Sequence, residues 1–270
     1  MVVFHRLLII LFFQLVSSFY SFSAFSFQSH WEDDFSLKEK EHLQKWIQHV
    51  GNAVESTLGK YPFNVQVYFH RSRATNEPVP WAHTSRTNEE AVHFHVNPSF
   101  SFQELISDWT AAHEIAHLSI PYIGQENSWF SEGYASYFQW QIMFNQGVLT
   151  KDELIQKYTQ RLASALPKFQ SDLSFIDIVK QLQKRHDYPT YYYGGACYFI
   201  QVDQQLKKIN SSGLAGIIQK FQVNGRLETT NLNSLIIQLN KLSESTVFSE
   251  LFDSFHNDPA RESVGKTKYQ

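Results

Sequence analysis

The chain has 270 residues, 43% hydrophobic and 16% aromatic, with a formal charge of −3; this is enough apolar material to bury a core in one domain or two small ones. Lys and Arg are scattered rather than clustered, so no basic stripe marks a nucleic-acid surface, and that class of partner is set aside. The single cysteine, Cys197, excludes an intramolecular disulfide and leaves the fold to stand on its core or on a metal.

The first residues, MVVFHRLLIILFFQLVSS, place Arg6 before an apolar run from Leu7 to Val16, followed by small residues at Ser23, Ala24 and Ser26. This is the pattern of a secretory signal peptide over residues 1–26, cleaved after Ser26 or Ser23. The run is too short to span a bilayer, which needs about 20 apolar residues, so no stable membrane span is expected after cleavage. The expectation is an exported chain, periplasmic or extracellular. The mature part reads as a single domain over residues 27–257, with a mixed α/β half at about 27–118 and a helical half at about 119–257. The polar tail, residues 258–270, reads as disordered. One glycosylation sequon occurs, at Asn210.

Within the first half, Leu43, Trp46, Ile47, Val50, Val54 and Leu58 recur at helical spacing over residues 37–58, with the charges of KEKE on the outer face. After Gly59 and Pro62, Phe63, Val65, Val67 and Phe69 alternate with polar residues, the period of a half-buried strand. A second alternation places Val92, Phe94 and Val96 on one face and His93 and His95 on the other. From Phe102 to Leu118 the period is helical again, with Leu105, Ile106, Trp109, Ala112 and Ala116 as the predicted buried stripe. Pro121 and Gly124 end that helix, and Asn127 or Ser128 caps the next, which runs to about Gln146. Six further helices are predicted, at 151–165, 172–185, 190–208, 213–222, 231–242 and 246–256. The fold class is α+β, a small N-terminal sheet with helices packed on an all-helical C-terminal half.

The chemistry concentrates in HEIAHLSIPYIGQENSWFSEGYASY, His113 to Tyr137. His113 and His117, four residues apart on a helix, project their imidazoles from one face and can bind the same Zn²⁺. Glu114 lies beside the pair, where a carboxylate can take a proton from a metal-activated water. A catalytic zinc needs a third protein ligand and one open position. Glu126 and Glu132 are the candidates, and Glu132 is preferred because a helix, rather than a loop, aims it.

HEIAH followed by WFSEGYASYF resembles the gluzincin metallopeptidases of the peptidase MA superfamily, which have a thermolysin-like catalytic domain, and especially the M1 aminopeptidases and M61 glycyl aminopeptidases. Their third ligand lies in a helix of the type W-x-x-E-G-F/Y-A-x-Y. The resemblance implies a thermolysin-like fold, one Zn²⁺ per chain held by His113, His117 and Glu132, and Glu114 as general base. The spacing is shorter than the M1 pattern HExxH-x18-E, with 14 residues between His117 and Glu132; the difference falls in the loop around Pro121 to Asn127. PTYYYGGACYFIQVDQQL is similar to the family's Y-x-x-G-A segment, whose Tyr donates to the oxyanion. Aligning Gly195 and Ala196 gives that role to Tyr192, with Tyr191 and Tyr193 as alternatives. The family's G-x-M-E-N segment, which holds a substrate's amino group, has no counterpart before His113. The strand AVHFHVNP occupies that stretch, where a family strand borders the cleft and pairs with bound peptide. The likeness covers roughly residues 60–210.

The resulting expectation is an exported zinc metallopeptidase acting on a peptide or protein substrate, with exo- or endopeptidase action left open. Two alternatives remain beside it: an inactive peptide- or envelope-binding module on the same fold, and a zinc amidase acting on a non-peptide amide. Lesser candidates are His93 with His95 as a second metal pair, Asp108 as a support for a zinc histidine, and His186 or Asp187. Cys197, in the apolar GGACYFI, is expected as a buried small hydrophobe rather than a nucleophile.

Overall fold

The computed structural model describes residues 27–86, 89–209 and 212–269. The expected signal peptide and the Asn210 sequon lie outside the described residues.

The mixed half is a sheet of four strands, β1 (Phe27–Trp31), β2 (Val65–Arg71), β3 (Trp81–Ser85) and β4 (Ala91–Val96), in the order β1-β2-β4-β3. β1, β2 and β4 run parallel and β3 is antiparallel to β4. Alternation decides the faces: Val65, Val67, Phe69, Val92, Phe94 and Val96 are fully buried, while the residues between them face outward. Helix α1 (Leu37–Leu58) covers the inner face, with Trp46 packed edge-on against Phe94. A capping box of Ser36 and Glu39 starts α1. The two strands that the sequence reading missed, β1 and β3, are the edges, where one-sided pairing leaves little pressure for regular apolar alternation.

β3 also corrects the expectation for AVHFHVNP. That segment is the interior strand β4, and the strand bordering the cleft is β3, whose outer edge has no strand partner among the described residues.

The helix predicted from Phe102 to Leu118 is two helices, α2 (Phe102–Ser107) and α3 (Thr110–His117). Asp108 breaks the run: its backbone is extended, and its carboxylate accepts from the Thr110 backbone N–H at 2.8 Å, starting α3. The break swings Trp109 out of the expected buried stripe, to 42% exposure at the cleft rim.

The helical half follows as α4 (Ser128–Asn145), α5 (Lys151–Ala165), α6 (Phe175–Lys184), α7 (Tyr188–Ile209), α8 (Gly213–Asn224), α9 (Leu232–Ser243), α10 (Val247–Asn257) and the short α11 (Ala260–Ser263). No described helix is long and apolar enough to cross a membrane. Helix α4 lies at the centre, against α3 on one side and α7 on the other. Gly133 and Gly195 set the closeness of the α4–α7 crossing. A Cβ on Gly195 would stand 2.1 Å from the Trp129 carbonyl oxygen, and one on Gly133 would stand 2.3 Å from the Gly195 backbone. Cys197 on α7 is buried, as expected, and burial pushes its thiol up to about 12.

The described tail residues, 258–269, pack against the helical half. Ala260 and Val264 are fully buried, and Tyr269 stacks on Tyr158 at 3.9 Å while accepting from Gln141 Nε2 at 2.7 Å. Gln201 on α7 donates to the Ser263 carbonyl and to Thr267 Oγ1 at 2.7 and 2.8 Å. A handful of apolar and aromatic anchors, spaced among polar residues, holds down a segment whose composition alone reads as solvated.

Candidate metal and catalytic site

Helix α3 presents His113 and His117 one turn apart, and α4 brings Glu132 across from them. His113 Nε2 lies 3.2 Å from His117 Nε2 and 3.2 Å from Glu132 Oε2, and His117 Nε2 lies 3.6 Å from the same oxygen. These three are the group, among the described residues, whose donor atoms could hold a metal ion. The spacing can be tested against zinc chemistry. Ligand atoms about 2.0–2.1 Å from a tetrahedral ion stand about 3.3 Å from one another, which the triangle matches. Two imidazoles and one carboxylate also form the donor set of a site that keeps one position open. The residues fit zinc.

The tautomer is fixed from behind. His113 Nδ1 donates to Gln139 Oε1 at 2.7 Å, which turns the Nε2 lone pair toward His117 and Glu132. Gln139 in turn donates to the Tyr193 hydroxyl at 3.3 Å. Gln139 was missed in the sequence, although it lies two helical turns beyond Glu132 and so on the same face of α4. Tyr193 belongs to this support and is not among the residues that line the cleft.

Short as it is, the loop between α3 and α4 is well anchored. The last carbonyls of α3 and those just beyond it are taken by two arginines: Arg86 donates to His117 O at 2.5 Å and Ile120 O at 3.0 Å, and Arg226 donates to Leu118 O at 3.0 Å. Cations at a helix C-terminus satisfy its unpaired acceptors and oppose its dipole. Gln222 adds a donor to Ser119 O at 2.8 Å. A single 3-10 turn, Gln125–Asn127, then leads into α4. Glu126 sits in that turn beside Gly124, outside the metal-ligating group.

A cleft of about 810 Å³ opens over the triangle. Its floor carries Glu114, beside the metal-ligating group, and its walls include β3, Trp109, Tyr188, Tyr191 and Tyr192. Tyr192 faces the triangle, its ring near-parallel to His113 at 6.3 Å. Burial, and next the charge of Glu132, push its hydroxyl pKa well up, which favours the protonated, donating form. The same causes raise Tyr191 to about 12. His186 and Asp187 stay outside the cleft lining, and His93 and His95 lie on the outward face of the sheet.

Charge in the site is balanced within it. Burial works against the charged form of Glu132, but His117 and His113 outweigh it and hold the carboxylate far below its usual range. Burial likewise opposes charge on His113, and Glu132 outweighs it, so His113 keeps a proton to higher pH than a free imidazole. A metal must displace that proton, whereas Glu132 is already ionised. Zinc affinity is therefore expected to fall as pH drops through the imidazole range, with protons released on binding. Calorimetric titration of zinc in buffers of different ionisation enthalpy measures that release. It should shrink as pH is raised past the His113 pKa.

No family model and no curated protein matches the chain. Solved structures do. An aminopeptidase N family protein from Idiomarina loihiensis superposes with a TM-score of 0.58 at 14% identity, covering 86% of this chain and 45% of that one. The chain shares that protein's fold. An M1 zinc metallopeptidase from Deinococcus radiodurans gives a TM-score of 0.49 at 12% identity, covering 86% of this chain and 48% of that one. The chain thus spans about half the length of the structures it matches. At these identities the likeness concerns fold, and the site must be argued from its own residues.

Proposed function

We propose that the chain is an exported zinc metallopeptidase that hydrolyses peptide bonds. The observation that carries this reading is the convergence of His113, His117 and Glu132 at ligand spacing beneath a cleft that also holds Glu114 and Tyr192. Zinc bound there supplies a Lewis acid that polarises a carbonyl and makes water acidic near neutral pH. Glu114 takes a proton from the attacking water at its carboxylate and passes it to the amine that leaves. Tyr192 donates its O–H to the carbonyl oxygen as negative charge builds on it. Gln139 holds His113 in the tautomer that ligates, and the free edge of β3 offers N–H and C=O groups along the cleft to an extended chain.

A complete set of hydrolytic side chains favours an enzyme over a binding module. Mass spectrometry of a peptide library incubated with the zinc-loaded protein tests this directly: new peptide termini are expected, and their absence from every peptide overturns the reading. In the same assay Tyr192→Phe should lower kcat by about 10²-fold or more, the size of effect seen when one oxyanion donor is lost, with zinc content unchanged. Tyr191→Phe should change it much less.

A further inference from the structure

The outward face of the sheet carries a second concentration of imidazoles, on the side of β4 away from the core. One row crosses all four strands: His30 on β1, Tyr68 on β2, His93 on β4 and His83 on β3. Their rings stack at 4.5, 4.5 and 4.6 Å with interplanar angles of 16°, 9° and 6°. A second row, one step along, stacks His70 on His95 at 4.5 Å and His95 against Trp81 at 4.5 Å. The cause is the register, which pairs Tyr68 with His93, His70 with His95, and His83 with His93. Stacking occupies the ring faces and leaves the ring edges, where the nitrogens are, as the groups available to a ligand.

The two rows touch where Trp81 stacks on His83 at 4.6 Å and where His70 meets His93. His70 Nε2 and His93 Nδ1 share a hydrogen bond at 3.1 Å, one ring donating its N–H to the other's lone pair; the separation is close to the 3.2 Å between the two imidazole nitrogens of the candidate zinc site, and a metal bound between them takes the place of the shared proton. Two nitrogens this far apart subtend an angle of about 98° at an ion about 2.05 Å from each, between square-planar and tetrahedral values.

We infer that His70 and His93 form a separate binding site for a borderline divalent transition metal, Cu²⁺ above all, on the outer face of the sheet. The pair joins β2 to β4 by side chains, water completes the coordination, and the ion clamps two central strands. Cu²⁺ is the strongest binder because nitrogen donors follow the Irving–Williams order and accept a tetragonal geometry. The site stands whether or not His113, His117 and Glu132 hold zinc. His93 pairs with His83 on β3, the strand that walls the cleft, so the outer-face pair adjoins the cleft wall.

The test is Cu²⁺ titration of the tag-free, zinc-loaded chain, followed by electron paramagnetic resonance, with zinc retention measured in the same samples. One Cu²⁺ per chain beyond the retained zinc is expected, with hyperfine structure from two imidazole nitrogens and a rise in melting temperature. His70→Gln and His93→Gln should each weaken uptake by about tenfold or more, and His30→Gln, at the far end of the row, by no more than about twofold. Protection of His70 and His93 from diethyl pyrocarbonate by Cu²⁺ gives the same readout in the unmodified chain. Copper uptake that only replaces zinc overturns the inference. So does uptake unchanged in both variants, or lost equally in His30→Gln.

Discussion

Replacing Glu114 by Gln is expected to lower peptide hydrolysis by about 10²–10⁴-fold, the contribution of a positioned general base, while leaving bound zinc at one per chain. The amide is close to the carboxylate in shape, and Glu114 is outside the metal-ligating group, so the metal environment should be preserved. What is lost is the ability to hold a proton between its removal from water and its delivery to the leaving amine. Steady-state kinetics should show the loss in kcat, with KM changed little, because the residue acts on the transition state rather than on ground-state binding. Loss of zinc together with activity would instead make Glu114 a structural support of the site. Unchanged activity would remove it from the chemistry.

The second large effect is expected far from any reacting atom. Gly195→Ala puts a Cβ 2.1 Å from the Trp129 carbonyl oxygen and 3.1 Å from the Gly133 Cα. Backbone cannot step aside as a flexible side chain can, so α4 and α7 must separate. Overpacking of this kind costs about 1–3 kcal/mol, and more where backbone has to move. Ala is worth about 1 kcal/mol more than Gly inside a helix, which offsets part of that cost. The larger consequence is geometric. Glu132 adjoins Gly133 on α4, and Tyr192 lies one turn before Gly195 on α7, so separating the helices pulls the metal-ligating group and the tyrosine apart. A misplacement of about 1 Å can cost about 10²-fold in rate. Thermal melts and kinetics together should show activity falling further than the modest loss of stability explains. An Ala variant with full activity and an unchanged melting temperature would refute the close-approach account of both glycines.

The same glycines show what the sequence made legible. Helices α1 and α4–α10, with Glu132 and Tyr192 among their residues, fall close to their expected bounds because long apolar-patterned segments announce themselves by period, whereas His113 stands on the short α3, expected as the end of one longer helix. The metal-ligating residues were readable because i, i+4 spacing on a helix is a local property. What the sequence hid was non-local. The edge strands β1 and β3 have little periodicity of their own and owe their conformation to β2 and β4. Asp108 splits a helical pattern by one side-chain hydrogen bond. Gln139 was detectable as a residue on the Glu132 face of α4, but its importance lies in reaching His113 on another helix. Arg86 and Arg226 explain how so short a loop can close the site, yet they lie 31 and 108 residues from the carbonyls they serve at His117 and Leu118.

The most direct measurement is zinc content, by elemental analysis, of the purified chain and of its Glu132→Ala variant after dialysis against a weak chelator. The account predicts about one zinc per chain in the parent and a large loss in the variant, which should remain folded because Glu132 is partly exposed at the cleft floor. A parent chain that holds no zinc, or a variant that holds as much as the parent, would contradict it.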